Sequence, residues 1–357
     1  MSSEARPTSA GVLASYAPCA GLDSSLRAFP RTGSVAERLA ARPFLMAPMA
    51  GVSDAAYRLM ARAGGAGLAY TEMVSVAGIH YGGDKTWKLV VPDGSEPDVA
   101  VQLFGSEPEQ FREAAAAVAE RLGGLLALLD VNMACPVPKV TRKGEGSALL
   151  DDPERAASIV RACVAEARVP VTVKIRSGRT ADRPVAPEFA RAMADAGASA
   201  VAVHGRSASQ LYRGKADWSM VARVARAVDV PVIGSGDVLD ARSAVAMLAE
   251  TGCAAAFVAR GSYGDPWLFS DAVATREGRA PAEHGPAERL AAFECHVRLL
   301  SATGAHLARA RSLAGWYLKG SPHAARLRDR AMSCVTQEDF LALVETARSE
   351  GARDDGR

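Results

Sequence analysis

The run VTVKIRSGRTADRPVAPEFARAMADAGASAVAVHG, residues 171–205, carries the fold in miniature. A strand dominated by β-branched residues, Val171–Ile175, leads through a polar turn into an Ala-rich amphipathic stretch, Pro187–Ala196, and a second apolar strand follows at Ala200–His204. Proline suits the first helical turn, where its missing N–H has no partner to lose. Strands rich in Val and Ile without clean alternation are covered on both faces, as parallel strands are. The unit therefore reads as strand, helix, parallel strand.

Outward from this unit, the same rhythm sets in at Pro43. Further strands read at Phe44–Met46, Leu68–Thr71, Val99–Leu103, Leu128–Asn132, Val232–Gly234 and Ala255–Val258, giving eight in all. Helices read at Ser53–Ala63, Pro108–Leu122, Pro153–Ala167, Trp218–Val228, Asp240–Glu250 and Asp265–Thr275, while the second crossover, Met73 to Pro97, reads as long and irregular. Eight units over about 235 residues approach the roughly 250 of an eightfold barrel. The predicted fold is α/β, a (β/α)8 TIM barrel over 41–280. The rival is a doubly wound dinucleotide-binding sheet, but Leu239 stands where the last glycine of its fingerprint belongs after Gly234-Ser235-Gly236. After about Pro286 the pattern turns purely helical (Ala287–Thr303, a middle stretch to Leu318, Ala324–Ser333, Glu338–Glu350), which predicts a C-terminal all-helical domain over 286–350. Residues 1–40 read as an irregular extension with one short helix, Ser34–Ala41.

Composition bounds the function. With 49% hydrophobic and 23% charged residues in 357, the chain buries a large core. No apolar run approaches the roughly 18 residues of a membrane span. The first residues lack a basic start followed by an apolar stretch, so a cytoplasmic location is expected. Six scattered cysteines form no CxxC pair, which argues against zinc and a disulfide framework.

Barrel enzymes carry their reactive groups at the carboxyl ends of the strands. Here those ends read Ala47-Pro48-Met49, Thr71-Glu72-Met73, Gln102-Leu103-Phe104, Asn132-Met133-Ala134-Cys135-Pro136, Lys174-Ile175-Arg176, His204-Gly205-Arg206, Gly234-Ser235-Gly236-Asp237 and Ala259-Arg260-Gly261. Any one of these polar residues taken alone reads more readily as a loop cap than as a ligand; all eight ends together do not. The glycines of the last two ends suit a phosphate cradle, to which Arg260 adds charge. Lys174 is placed to reach the electron-rich end of a flavin, and the Gln102 and Asn132 amides suit its pyrimidine edge. FMN is the expected cofactor. Cys135 lies in a rigid turn at the barrel mouth, followed by a basic loop with Lys139, Arg142 and Lys143. That loop reads either as a solvated charge run or as a mobile cover for a substrate. The remaining cysteines read as small hydrophobes.

The stretches APMAGVSD (47–54), QLFG (102–105), NMACP (132–136), KIR (174–176), HGRSASQLYRGKADW (204–218), GSGDV (234–238), ARG (259–261) and WYLKG (316–320) resemble the tRNA-dihydrouridine synthases, in particular the bacterial B-type enzymes, over about residues 41–335. The resemblance implies an FMN-bound barrel with a helical tRNA-binding domain, and NADPH as reductant. It implies Cys135 as general acid and Pro48, Met49, Gln102, Asn132, Lys174, His204, Ser235, Gly236, Asp237, Arg260 and Gly261 as cofactor contacts. Lys139, Arg142, Lys143, Arg176, Arg206, Arg311 and Lys319 are the expected substrate or RNA contacts. Three departures stand out: Ala134 where family members commonly have Gly, Ser235 where they have Asn, and Ser312-Leu313 where Lys and His are more usual. The chemistry fits the residues. Hydride addition at uracil C6 leaves carbanion character at C5, and a neutral thiol, with an ordinary pKa near 8.5, can protonate it. The stacked target base has to be turned out into the pocket.

Other readings are an FMN-dependent reductase of a free pyrimidine or small enone, an RNA-binding protein without catalysis, and a non-redox barrel aldolase. Charge bears on the choice. The net charge of +2 argues against nucleic acid if evenly spread, yet eight basic residues fall between Arg289 and Arg330 against only Glu294 and Asp329. A basic helical face beside a basic mouth is the footprint of an RNA clamp.

Overall fold

The computed structural model describes residues 7–354. Eight strands, β1 (Phe44–Met46), β2 (Tyr70–Ser75), β3 (Val99–Phe104), β4 (Leu126–Met133), β5 (Val171–Arg176), β6 (Ala200–His204), β7 (Val232–Ser235) and β8 (Ala255–Val258), pair in parallel in the order β1-β8-β7-β6-β5-β4-β3-β2. The Met46 N–H donates to Leu68 O at 2.9 Å and Met46 bridges Ala69, so the first and second strands meet and the sheet closes. This is the expected eightfold barrel, and β1, β6 and β8 have the expected bounds.

Side chains on a strand alternate between faces. Val101, Leu103, Val131, Val173 and Val203 point outward into one large core shared with the surrounding helices. A second cluster, with Leu45, Tyr70, Ala100, Leu128, Ala200, Ala202, Ile233 and Phe257, fills the barrel interior. Towards the carboxyl ends of the strands the inward positions become polar, with Gln102, Asn132, Lys174 and His204.

Two expectations are corrected. The N-terminal extension is ordered: Ser9–Tyr16 is a helix capped by Thr8, and Pro18–Ala20 forms a 3-10 turn. Val12 and Leu13 are buried, Trp267 Nε1 donates to Ala20 O at 2.8 Å, and the Arg298 guanidinium lies 4.3 Å from the centre of the Tyr16 ring. The capping box of Ser34 and Glu37 starts the Val35–Ala41 helix as expected; residues 1–6 lie outside the described residues. The second crossover is also built, with short helices at Val76–His80 and Asp84–Val90.

The tail folds as four helices, Pro286–Ala302, Arg309–Tyr317, Ala324–Ser333 and Gln337–Asp354. It sits against the loop after β1: Arg309 bonds Asp54 and Glu72, and Tyr57 packs its ring against His296 and Trp316.

Candidate active site

The carboxyl ends of the strands surround a cavity of about 480 Å³. Its walls include Pro48 and Met49 after β1, Gln102 on β3, Asn132 and Cys135 at the end of β4, Lys174 and Arg176 on β5, His204 on β6, Ser235, Gly236 and Asp237 from β7, and Arg260 after β8. Gly261 stands just behind this wall, where an added Cβ would lie 2.5 Å from Val238 O. Gly236 has φ of +113°, and a Cβ there would meet Ala216 Cβ at 2.7 Å and His204 Cδ2 at 2.8 Å, so only glycine lets the backbone pass.

Charge in the cavity is mostly positive. Lys174 is 8% exposed and has no ion-pair partner among the described residues; burial and the neighbouring Arg176 pull its ammonium down to about 8. Such a buried cation is suited to an anionic ligand. Burial, with Lys174 and three arginines nearby, holds His204 well below the usual imidazole range, so it is neutral. Asp237 is the one carboxylate on the wall. Burial pushes its carboxyl up, but the Ala216 N–H and the Arg206 guanidinium outweigh this and hold it low. The Asp237 carboxylate anchors Arg206 at 2.7 Å and Arg260 at 3.4 Å beside Gly236.

Two expected RNA contacts face inward. Arg206 is 2% exposed and donates to Gly214 O and Asp237; Arg176 is equally buried and donates to Ala134 O, Ser207 O and Leu211 O, each at 2.9 Å. Both guanidiniums shape loops, and Arg206 does not reach the cavity wall. Lys139, Arg142 and Lys143 are exposed on and after the Pro138–Thr141 turn of helix that follows Cys135. In the tail, Lys319 is exposed, whereas Arg311 donates to Cys334 O. Arg298 pairs with Glu294 and Arg326 with Glu350.

Cys135 is half-buried at the cavity edge, and burial raises its thiol above the ordinary value, so the group carries a proton at neutral pH. Its N–H donates to Asn132 Oδ1 at 2.9 Å, and its carbonyl accepts from Ser147 at 3.0 Å. The backbone at Cys135 is thus tied to β4 on one side and to the returning loop on the other.

Residues missed in the sequence reading also take part. Tyr212 is 61% exposed at the lip, its ring centre 5.2 Å from the Arg260 guanidinium and 5.8 Å from that of Arg176. Asp130 and Thr172 lie below the floor, bonded to each other at 2.5 Å. The signal for these two was present: Asp130 and Asn132 on β4, and Thr172, Lys174 and Arg176 on β5, are polar at every second position, the mark of a polar inward face.

The family model described as dihydrouridine synthase matches residues 45–352. The chain is 35% identical over 312 residues to tRNA-dihydrouridine synthase B of Xanthomonas axonopodis pv. citri, covering 84% of this chain and 91% of that one. It is 37% identical over 312 residues to a "Probable tRNA-dihydrouridine synthase 1" of Synechocystis, covering 85% of each. To tRNA-dihydrouridine synthase B of Pseudomonas aeruginosa it is 35% identical over 316 residues, covering 84% of this chain and 92% of the relative. Among solved structures, a FabK mutant from Thermotoga maritima superposes with a TM-score of 0.41 at 15% identity, over 66% of this chain and 67% of its own.

Proposed function

Because the chain belongs to the dihydrouridine synthase family, with its relatives among the bacterial B-type enzymes, we propose that it reduces the C5=C6 bond of uridine in tRNA, with bound FMN and NADPH as reductant. The residues present fit FMN. The glycine-only passage at Gly236, the unpaired Lys174 ammonium and Arg260 suit a phosphate and an anionic ring, while Gln102 and Asn132 border the same cavity. When bound, the flavin supplies hydride to uracil C6.

The chain's own groups do the rest. Cys135, held as a neutral thiol by burial, gives its Sγ proton to C5 as negative charge develops there. Lys174 and Arg176 line the same cavity and offset the charge that gathers on the pyrimidine carbonyl oxygens. Lys139, Arg142, Lys143 and Lys319 are exposed and free to hold RNA phosphates, whereas Arg206 fixes a loop and Arg176 fixes loops while also lining the cavity. We assign catalysis to residues 41–280 and RNA holding to the 286–350 helices, in a cytoplasmic enzyme. No helix among the described residues is long and apolar enough to cross a membrane.

The observation carrying this reading is one cavity that joins a proton-bearing Cys135 to the Lys174 cation and the glycine cradle. The test is purification and assay with tRNA lacking dihydrouridine. Native protein is expected to be yellow and to form dihydrouridine, and Cys135→Ala to keep its flavin and lose the product. Full activity in that variant refutes the acid, and a colourless, flavin-indifferent protein refutes the cofactor.

A further inference from the structure

Beneath the cavity floor lies a carboxylate that the chemistry above does not use. Asp130 points into the barrel from β4 and is 1% exposed. Its Oδ1 accepts the Thr172 hydroxyl at 2.5 Å, and its Oδ2 accepts Gln102 Nε2 at 2.7 Å. Gln102 Oε1 accepts Asn132 Nδ2 at 2.8 Å, and Asn132 Oδ1 accepts the backbone N–H groups of Ala134 at 3.2 Å and Cys135 at 2.9 Å.

A side-chain amide can face either way, but here both ends of the chain dictate the sense. An ionised carboxylate only accepts, so Gln102 has to offer its N–H; backbone N–H groups only donate, so Asn132 has to offer its oxygen. The two demands agree on one direction, from Asn132 through Gln102 to Asp130. We propose that Asp130 is a positioning residue: by accepting from Gln102 it locks both amides in one orientation and, through Asn132 Oδ1, the turn that carries Cys135. Burial raises the Asp130 carboxyl to about 6, with the Thr172 and Gln102 donors and the Lys174 charge pulling the other way, so the accepting form prevails at neutral pH. Without that acceptor, the buried Gln102 N–H would be left unmatched, and the amide would gain by turning over. Asn132 could then bond Gln102 only by releasing the Cys135 turn.

The functional meaning rests on the reading of Cys135 as acid and of Gln102 and Asn132 as flavin contacts; the test of positioning does not. Two variants separate the acceptor from the charge. Asp130→Leu keeps the volume and removes the acceptor. Asp130→Asn removes the charge but keeps one oxygen for Gln102, while its amide N–H turns to the Thr172 hydroxyl. The readout is alkylation of Cys135 by iodoacetamide in flavin-free protein at fixed pH, followed by peptide mass spectrometry to resolve it from the exposed Cys19. Asp130→Leu is expected to speed Cys135 alkylation by about tenfold and to weaken FMN binding by about tenfold, the cost of one unmatched buried hydrogen bond. Asp130→Asn is expected to stay within about twofold of native on both counts. Native rates in Asp130→Leu, or equal damage in both variants, overturn the proposal. Should Asp130→Leu not fold, the side-chain amide of Gln102 in the native protein, identified in a nitrogen-15 spectrum by its loss in Gln102→Met, supplies the answer. A Gln102 N–H protected from solvent exchange is expected, and free exchange overturns the assignment. A protein that passes these tests but makes no dihydrouridine refutes the functional reading alone.

Discussion

Replacing Arg309 by Met tests whether the tail helices and the barrel mouth are one mechanical unit. The Arg309 guanidinium donates to Asp54 Oδ2 at 2.8 Å and to Glu72 Oε1 at 2.9 Å, and Glu72 Oε2 takes the Gly51 N–H at 2.6 Å. The two carboxylates are 13% and 11% exposed, while Arg309 keeps 31% of its side chain in solvent. Methionine preserves the stem but leaves two nearly buried carboxylates without their hydrogen-bonded cation, with only the charge of Arg58, itself paired with Glu96, nearby. Removing one member of a fully buried pair costs about 3–5 kcal/mol; with the arginine partly wet, a loss of about 2–3 kcal/mol is expected. At a slope of about 3 kcal/mol/M, that lowers the urea midpoint by roughly 0.7–1 M. The sign of the pH dependence is a second signature. Burial raises the Asp54 pKa, against the Tyr57 N–H and the Arg309 charge, so removing Arg309 raises it further. A carboxyl with a raised folded pKa stabilises the fold while protonated and loses that contribution as pH climbs through the folded value. The deficit of the variant should therefore be largest near about pH 8 and shrink towards about pH 5. A deficit below about 0.5 kcal/mol, or one that is the same at both pH values, refutes the latch.

Four further outcomes are expected. Since the Lys174 ammonium titrates at about 8, FMN affinity measured by fluorescence should fall as pH rises through that value, and Lys174→Met should flatten the curve; a flat native curve counts against the lysine as an anion contact. Gly236→Ala adds about 1–3 kcal/mol of strain, so the folded variant should copurify with far less flavin, whereas a full complement would dismiss the cradle. Trp267→Phe deletes the bond to Ala20 O, worth about 1 kcal/mol, and hydrogen exchange over 9–20 should quicken; unchanged exchange means that the segment is held elsewhere. Taking the proposed RNA contacts as about six exposed or unpaired cations, log affinity against log salt should slope near about −5, and a slope beyond about −8 would restore the whole tail cluster to the interface.

The barrel was legible because parallel strands and crossover helices write different periods into the sequence, and the Val171–Gly205 unit shows both. What was hidden is instructive. The Ser9–Tyr16 helix is short and its apolar residues form no one-sided stripe; Val12 and Leu13 are buried by a partner more than 270 residues downstream, Pro286–Ala302. Local pattern carries no trace of such a partner. In the site, residues at strand ends were readable because barrel topology fixes where they go. Asp130 was passed over because it sits one layer below the ends, inside the otherwise apolar run LLALLDV, where its partners Gln102 and Thr172 come from neighbouring strands.

Charge shows the same limit from the other direction. Counted along the chain, the Arg289–Arg330 segment looks strongly basic, but Coulomb energy depends on distance in space and not on sequence. Arg309 finds Asp54 and Glu72 across more than 230 residues, Arg326 finds Glu350, and Arg298 shares Glu294 with Arg348. Arg311 turns to a backbone carbonyl and Arg330 to the Thr346 hydroxyl. Arg289, Lys319 and Arg328 are left in the tail with no side-chain hydrogen bond or ion pair among the described residues, beside Lys139, Arg142 and Lys143 at the mouth. Of the engaged arginines, Arg309 alone ties the tail to the barrel, and the others tie the tail's own helices to one another. On the proposed reading, the cations left for RNA are Lys139, Arg142 and Lys143 next to Cys135 together with the three of the tail, while most tail arginines are engaged in holding the tail's own helices together.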